Sequence, residues 1–144
     1  MVKSSYEVEK YTNAWRWNKH EECIVSKHII GSSIHICSGQ SKIGDIRVDL
    51  TEQADIKADV LKLPFKDKSI DTVICDPPWN IAFIMKFWQE LERIAKKRII
   101  VICLSRFSYH GWDLTYEEII HRPQGVQLKV MSVYSQNNQT LFDS

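Results

Sequence analysis

No apolar run in the sequence approaches the roughly 20 residues that a membrane-spanning helix needs. Its first ten residues, MVKSSYEVEK, are polar and charged, so they do not read as a secretory signal. These two absences predict a cytoplasmic protein, or one in the viral equivalent of that compartment inside a host cell. An excess of either charge is missing too. Lys and Arg number 19 and Asp and Glu 18, for a net charge of +1. A protein that holds long nucleic acid unaided is usually far more basic. The substrate is therefore small, the basic patch is local, or a partner supplies the grip. Cysteine is sparse: Cys23, Cys37, Cys75 and Cys103, none in a C-x-x-C pair. Three lie in apolar strand-like runs, where a free thiol behaves as a small hydrophobe. His20, Cys23, His28, His35 and Cys37 match no common zinc spacing, and no metal site is expected. There is also no G-x-G-x-x-G motif, no internal repeat and no linker. A chain of 144 residues then suits one domain: an N-terminal helical segment over 1–30 and a core over 31–144.

What is present is a run of strand and helix patterns. Ser4 followed by Glu7 reads as a capping box, and Val8, Tyr11 and Trp15 recur at helical spacing. One or two helices are expected from about residue 5 to 29, stopped near Gly31. The stretch AWRWNKH (14–20) fits either an amphipathic helix packed on a sheet or a stacking surface for nucleic acid. SIHIC (33–37), IRVDL (46–50), Ile56–Val60, SIDTVIC (69–75) and RIIVICL (98–104) read as strands. The last of these is apolar throughout, as a strand covered on both faces would be. From Asn80 the period becomes helical. Ile81, Ile84, Trp88, Leu91 and Ala95 share one face, and Lys86, Glu90, Arg93 and Lys97 share the other. Lys96, Lys97 and Arg98 would close that helix at its cation-favouring end. After a looser stretch (105–118), EIIHR (118–122) and VQLKVMSVYS (126–135) form two strands joined by the turn signal PQG.

This alternation predicts an α/β fold: a Rossmann-like, mostly parallel seven-stranded sheet with a C-terminal antiparallel hairpin and helices on both faces. Only QSKIG separates the first two strands, so the first helix is reduced or absent. Ligands of such sheets bind beyond the carboxyl ends of the strands, near the switch in strand order. Those ends are CSG (37–39), VDL (48–50), ADV (58–60) and CDPPW (75–79), all polar or turn-forming breaks after apolar runs. Gly39 lets backbone approach a ligand closely. Asp49 could accept the hydroxyls of a ribose. Asp59 could accept from an adenine amine, with Leu61, Leu63 and Phe65 as apolar walls. Each also has a plainer reading as a turn, a solvated acid or core packing. CDPPW is the most specific break. Two prolines cannot continue a central strand, so the chain must leave the sheet at Asp76 and present a carboxylate, a stiff turn and a large ring together.

CSGQSKIGDIRVDL and ADVLKLPFKDKSIDTVICDPPW resemble the class I S-adenosylmethionine-dependent methyltransferases, in particular the branch that methylates amino nitrogens with an Asp/Asn-Pro-Pro-aromatic motif. The likeness runs from about Ile34 to Trp79, and the later elements fit through Tyr134. It implies S-adenosyl-L-methionine as cofactor. Cys37, Ser38 and Gly39 would line its methionine part, Asp49 and Leu50 its ribose side, and Asp59 and Val60 its adenine, with Asp76 at the boundary with the substrate. It further implies that Asp76, Pro77, Pro78 and Trp79 carry the catalytic site, and that Trp79, Asn80 and Arg106 meet the substrate. The implied reaction is methyl transfer to an exocyclic amine of a nucleic-acid base. Adenine in DNA is the first choice, and cytosine in DNA, a base in RNA or a protein amide are the alternatives. Arg16, Lys19, Lys42 and Arg106 are candidate phosphate contacts. No target-recognition domain is visible, so a homodimer or a partner subunit would supply one. The competing class is a catalytically inactive methyltransferase-like binding subunit.

Overall fold

A computed structural model describes residues 19–39, 41–50, 54–77, 84–103, 111–121 and 128–136. Their elements, in chain order, are α1 (Lys19–Ser26), β1 (Ser33–Ile36), β2 (Ile46–Asp49), β3 (Ile56–Lys57), β4 (Ile70–Cys75), α2 (Met85–Ile94), β5 (Ala95–Cys103), β6 (Trp112–His121) and β7 (Leu128–Gln136). The strands form a single seven-stranded sheet in the order β3-β2-β1-β4-β5-β7-β6. β1 to β5 pair in parallel, and β7 is antiparallel to both of its neighbours. This is the expected mostly parallel sheet with a closing antiparallel pair. The order reverses between β1 and β4, which puts the switch point at the carboxyl ends of those two strands.

The period-two pattern sorts the core into two layers. On one face Ile34, Ile36, Val73, Cys75, Ile99 and Val101 pack under α2, which buries Phe87, Trp88, Leu91 and Ile94. On the other, Ile74, Ile100, Ile102, Met131 and Val133 pack with Ile24 and Val25 of α1. Helices therefore cover both faces. β5 feeds both layers, which is why its stretch from Ile99 to Ile102 is apolar without alternation.

Several boundaries differ from the sequence expectation. α2 stops at Ile94 and β5 starts at once at Ala95, so Lys96, Lys97 and Arg98 lie in the strand rather than in the last helical turn. The pairing of Ile70 with Ala95 sets that start, because strand partners outweigh the local helical spacing. β3 is only Ile56–Lys57, shorter than the five residues expected. β6 begins at Trp112 rather than 118, since β7 pairs with it as far as Gln136. In the N-terminal segment the described helix is Lys19–Ser26, which ends before Gly31. The capping box and most of AWRWNKH lie outside the described residues, as does PQG.

Residues 37–45 connect the parallel strands β1 and β2 with no helix among the described ones. Such crossovers usually take a dozen residues or more. The short path fits because it lies close on the sheet. Gly44 (φ +101) passes His35 so tightly that a Cβ would come within 3.2 Å of the His35 Cβ. Nδ1 of His35 hydrogen-bonds the Ile43 carbonyl at 3.2 Å. Burial, the main cause, lowers the His35 pKa to about 4, so this ring is neutral at neutral pH. Ile43 adds to the α1-side layer. The first helix is thus replaced by a strap held on a buried histidine.

Candidate active site

Three chain breaks meet at the carboxyl edge around the switch point. β1 ends at Ile36, and Cys37 then takes a left-handed backbone (φ 57), which is rare for a residue with a side chain. Such strain costs on the order of 1–3 kcal/mol and survives where surrounding bonds enforce it. Here the N–H groups of Cys37 and Ser38 both donate to the Val48 carbonyl, at 2.9 and 3.4 Å. Gly39 follows at φ 55, and its N–H donates to the Asp49 carboxylate at 2.7 Å. The glycine loop and the acid at the end of β2 are therefore one unit. The other Asp49 oxygen accepts the Leu50 N–H at 2.6 Å.

Asp76 stands one residue beyond the end of β4, beside this unit. Burial pushes the Cys37 thiol pKa up, and the charges of Asp49 and Asp76 add to the rise. The register agrees: Ile36 pairs with Val48 on one side and Cys75 on the other, so Asp49 and Asp76 follow on the two strands that flank β1 at its carboxyl end. Burial also raises Cys75, with contributions from Cys37, Asp76 and Cys103. Both thiols stay protonated at neutral pH and act as packing groups, not nucleophiles.

Asp76 is itself buried, at 3% exposure. Lys129, at the start of β7 and 7% exposed, reaches it: Nζ donates to both carboxylate oxygens, at 3.0 and 3.3 Å. Sequence reasoning missed this partner. The available signal was a lone lysine inside the otherwise apolar strand LKVMSV. The topology explains the meeting. An antiparallel strand beside β5 begins where the parallel strands end, so the first residues of β7 arrive at the carboxyl edge.

The remaining expected residues divide. Leu50 is 75% exposed beside Asp49, an apolar side chain facing outward at the edge of the site. Asp59 is exposed, and its carboxylate accepts the Leu61 N–H at 2.9 Å, closing a turn just after β3. Val60 and Leu63 are buried in the α2-side core, with Leu61 and Phe65 packed against them. Leu63 is therefore packed in the core, the plainer of its two readings. Pro77 is half-buried. Pro78, Trp79, Asn80, Arg106 and Arg16 lie outside the described residues. Lys19 and Lys42 are exposed. Among the described residues no group of three His, Cys, Asp or Glu could hold a metal ion.

A separate open hollow of about 530 Å³ lies on the α2 flank, lined by Lys62, Leu63, Pro64, Phe65, Lys66, Lys86, Glu90 and Arg93. Glu90, on the polar face of α2, is buried there. It accepts from Nε and Nη2 of Arg93 at 2.8 and 2.9 Å and from the Leu63 N–H at 2.8 Å.

Among solved structures, a SAM-dependent methyltransferase of Thermotoga maritima is 15% identical. It matches with a TM-score of 0.59 over 93% of this chain and 95% of its own. A protein of Pyrococcus horikoshii, 14% identical, matches with the same score of 0.59 over 91% of this chain and 99% of its own. A SAM-dependent methyltransferase of Aquifex aeolicus, 12% identical, matches at 0.50 over 79% of this chain and 87% of its own. This chain has the S-adenosylmethionine-dependent methyltransferase fold. No protein-family model matches it, and no curated protein matches it by sequence.

S-adenosylmethionine is the cofactor expected from the methyltransferase fold, and two features of the edge fit it. The Ser38 hydroxyl is buried yet has no hydrogen-bond partner among the described residues. A buried hydroxyl in that state calls for a partner, and this one sits at the glycine loop. Leu50, outward and apolar beside Asp49, offers an exposed apolar surface at the same edge.

Proposed function

We propose that the chain is an S-adenosylmethionine-dependent methyltransferase acting on an exocyclic amino nitrogen of a nucleic-acid base, adenine in DNA first. The observation that carries this reading is the register at the switch point: Ile36 of β1 pairs with Val48 of β2 and with Cys75 of β4, so the next residues, Asp49 and Asp76, flank the end of β1. A ribose-type acid and the acid of D-P-P-W are then neighbours at the switch point. In support, the Thermotoga protein is named as a possible histamine N-methyltransferase, again a transfer to nitrogen.

When bound, S-adenosylmethionine supplies a methyl group on a positively charged sulfur. Asp49, Leu50, Ser38 and Gly39 would hold it, with Cys37 as packing, and Asp59, with the chain beside the core-packed Val60, would frame its base. A base amine is a poor nucleophile because its lone pair is conjugated with the ring. The Asp76 carboxylate accepts one amine N–H and the Pro77 carbonyl accepts the other, so the nitrogen moves toward a tetrahedral shape with a usable lone pair. Pro77 and Pro78 stiffen the turn that carries these acceptors. Much of the acceleration comes from orientation. Trp79 would stack on the base, worth about 1–3 kcal/mol, and Asn80 and Arg106 would be further substrate contacts. That is comparable with the few kcal/mol needed to extrude a base from a duplex.

The test is incubation with methyl-labelled S-adenosylmethionine and separate pools of DNA, RNA and protein, then digestion and mass spectrometry. Label on the exocyclic nitrogen of deoxyadenosine is expected. Label only in RNA or protein moves the substrate and keeps the reaction. Cofactor binding with no label in any pool favours the second reading, a binding module with this fold. The strap over residues 37–45, with no helix among its described residues, is the feature that favours that alternative.

A further inference from the structure

The methyl-transfer reading assigns Asp76 its task but leaves open what aims its carboxylate. A carboxylate just past the end of a strand is not placed by ladder pairing, so its orientation depends on the groups that bond it. Accepting an amine N–H requires one oxygen held toward the nucleophile. Lys129 meets that need: Nζ lies 3.0 Å from Oδ1 and 3.3 Å from Oδ2, so it bridges the carboxylate and sets its plane. Both partners are more than nine-tenths buried. In such surroundings a charge-assisted bond is stronger than one in water. Lys129 is itself fixed by its backbone, because Val130 pairs with Cys103 of β5 and Ile119 of β6.

We infer that Lys129 is the positioning residue for Asp76: from the first turn of the antiparallel strand it holds the acceptor carboxylate in the orientation that methyl transfer uses. The inference rests on the methyl-transfer reading and deepens it. A buried ion pair is weak evidence of net stabilisation, which makes a purely structural role the poorer account of a lysine brought across the end of β5.

The experiment compares wild type with Lys129→Gln, Lys129→Met and Lys129→Arg, measuring kcat, the KM for S-adenosylmethionine and the melting temperature. Gln can still donate to Asp76 without charge, so it keeps the test alive if Met fails to fold. For Met, kcat is expected to fall about a hundredfold, the scale of a 1 Å misplacement. For Gln the expected fall is about tenfold, and Arg should retain more activity than Gln. The KM for S-adenosylmethionine should stay within about twofold throughout, since Asp49 is untouched. Unchanged kcat in the folded Gln or Met variant, whatever its melting temperature, overturns the positioning role and leaves the methyltransferase reading intact. If wild type transfers no methyl group in any pool, both fall together.

Discussion

Gly31 has a left-handed backbone (φ +62) directly below the Asp71 carboxylate, which a Cβ at this position would strike. That carboxylate accepts the N–H and hydroxyl of Ser32, at 3.0 and 3.2 Å, and so aligns the lead into β1 with β4. Gly31→Ala should cost at least about 1–2 kcal/mol from the dihedral alone. A fall of roughly 5 °C or more in Tm is therefore expected, and an unchanged melting curve would remove both reasons for a glycine. The sequence marked Gly31 as a helix stop, whereas its need comes from Asp71, 40 residues later, which no local pattern reveals. At the edge of the site, Asp76→Ala should abolish methyl transfer while S-adenosylmethionine still binds, as calorimetry can check. Full activity in that variant would refute the acceptor role. Asp76 was legible in the sequence because Pro-Pro must end a strand. Lys129 was not, because its neighbourhood depends on which strand β7 joins.

At the level of elements, the helical period of 84–94 was readable, but the local surroundings of its polar face were not. Lys86, Glu90 and Arg93 share that face by spacing, and nothing in the spacing says which is covered. The loop after β3 decides it by folding back, so that Leu63 donates its N–H to Glu90 and the Phe65 and Leu63 carbonyls accept from Arg93 at 2.6 and 3.0 Å. The hydrogen bonds from Arg93, first, and from Leu63 hold the Glu90 pKa at about 2, well below its ordinary 4.5. A depressed carboxylate contributes stability that is fully present above the unfolded value and lost as pH falls through the folded one. Stability should therefore drop between about pH 4.5 and pH 2, more steeply in wild type than in Glu90→Gln. Chemical denaturation at several pH values in that window measures both slopes, and equal slopes would show that Glu90 is not linked to folding. Likewise the strand start at Ala95 is a tertiary outcome: β4 claims the residues that helical periodicity alone would have kept in α2.

For the whole molecule, the decisive property is that the parallel part of the sheet gathers the ends of β1, β2 and β4, at Cys37, Asp49 and Asp76, on a single edge. This was legible because parallel strands alternate with crossovers, so every strand end faces the same way. The strand order and the antiparallel entry of β7 were less so, because pairing between distant strands leaves no local trace. If that edge holds S-adenosylmethionine, ligand binding must stabilise the native state by mass action. At 100 times its dissociation constant the gain is about 2.7 kcal/mol, on the order of 10 °C in Tm for a chain of this size. Asp49→Asn should remove most of that shift, because the amide keeps an acceptor toward Gly39 but loses the charge that favours two ribose hydroxyls. Its ligand-free Tm serves as the control for any loss of the loop's own hydrogen bond. Asp76→Ala should retain the shift, since that carboxylate faces the acceptor amine. A thermal shift equal in all three proteins would move the cofactor off this edge. A shift lost equally in both variants would merge the two carboxylates into one binding role and withdraw Asp76 from the chemistry.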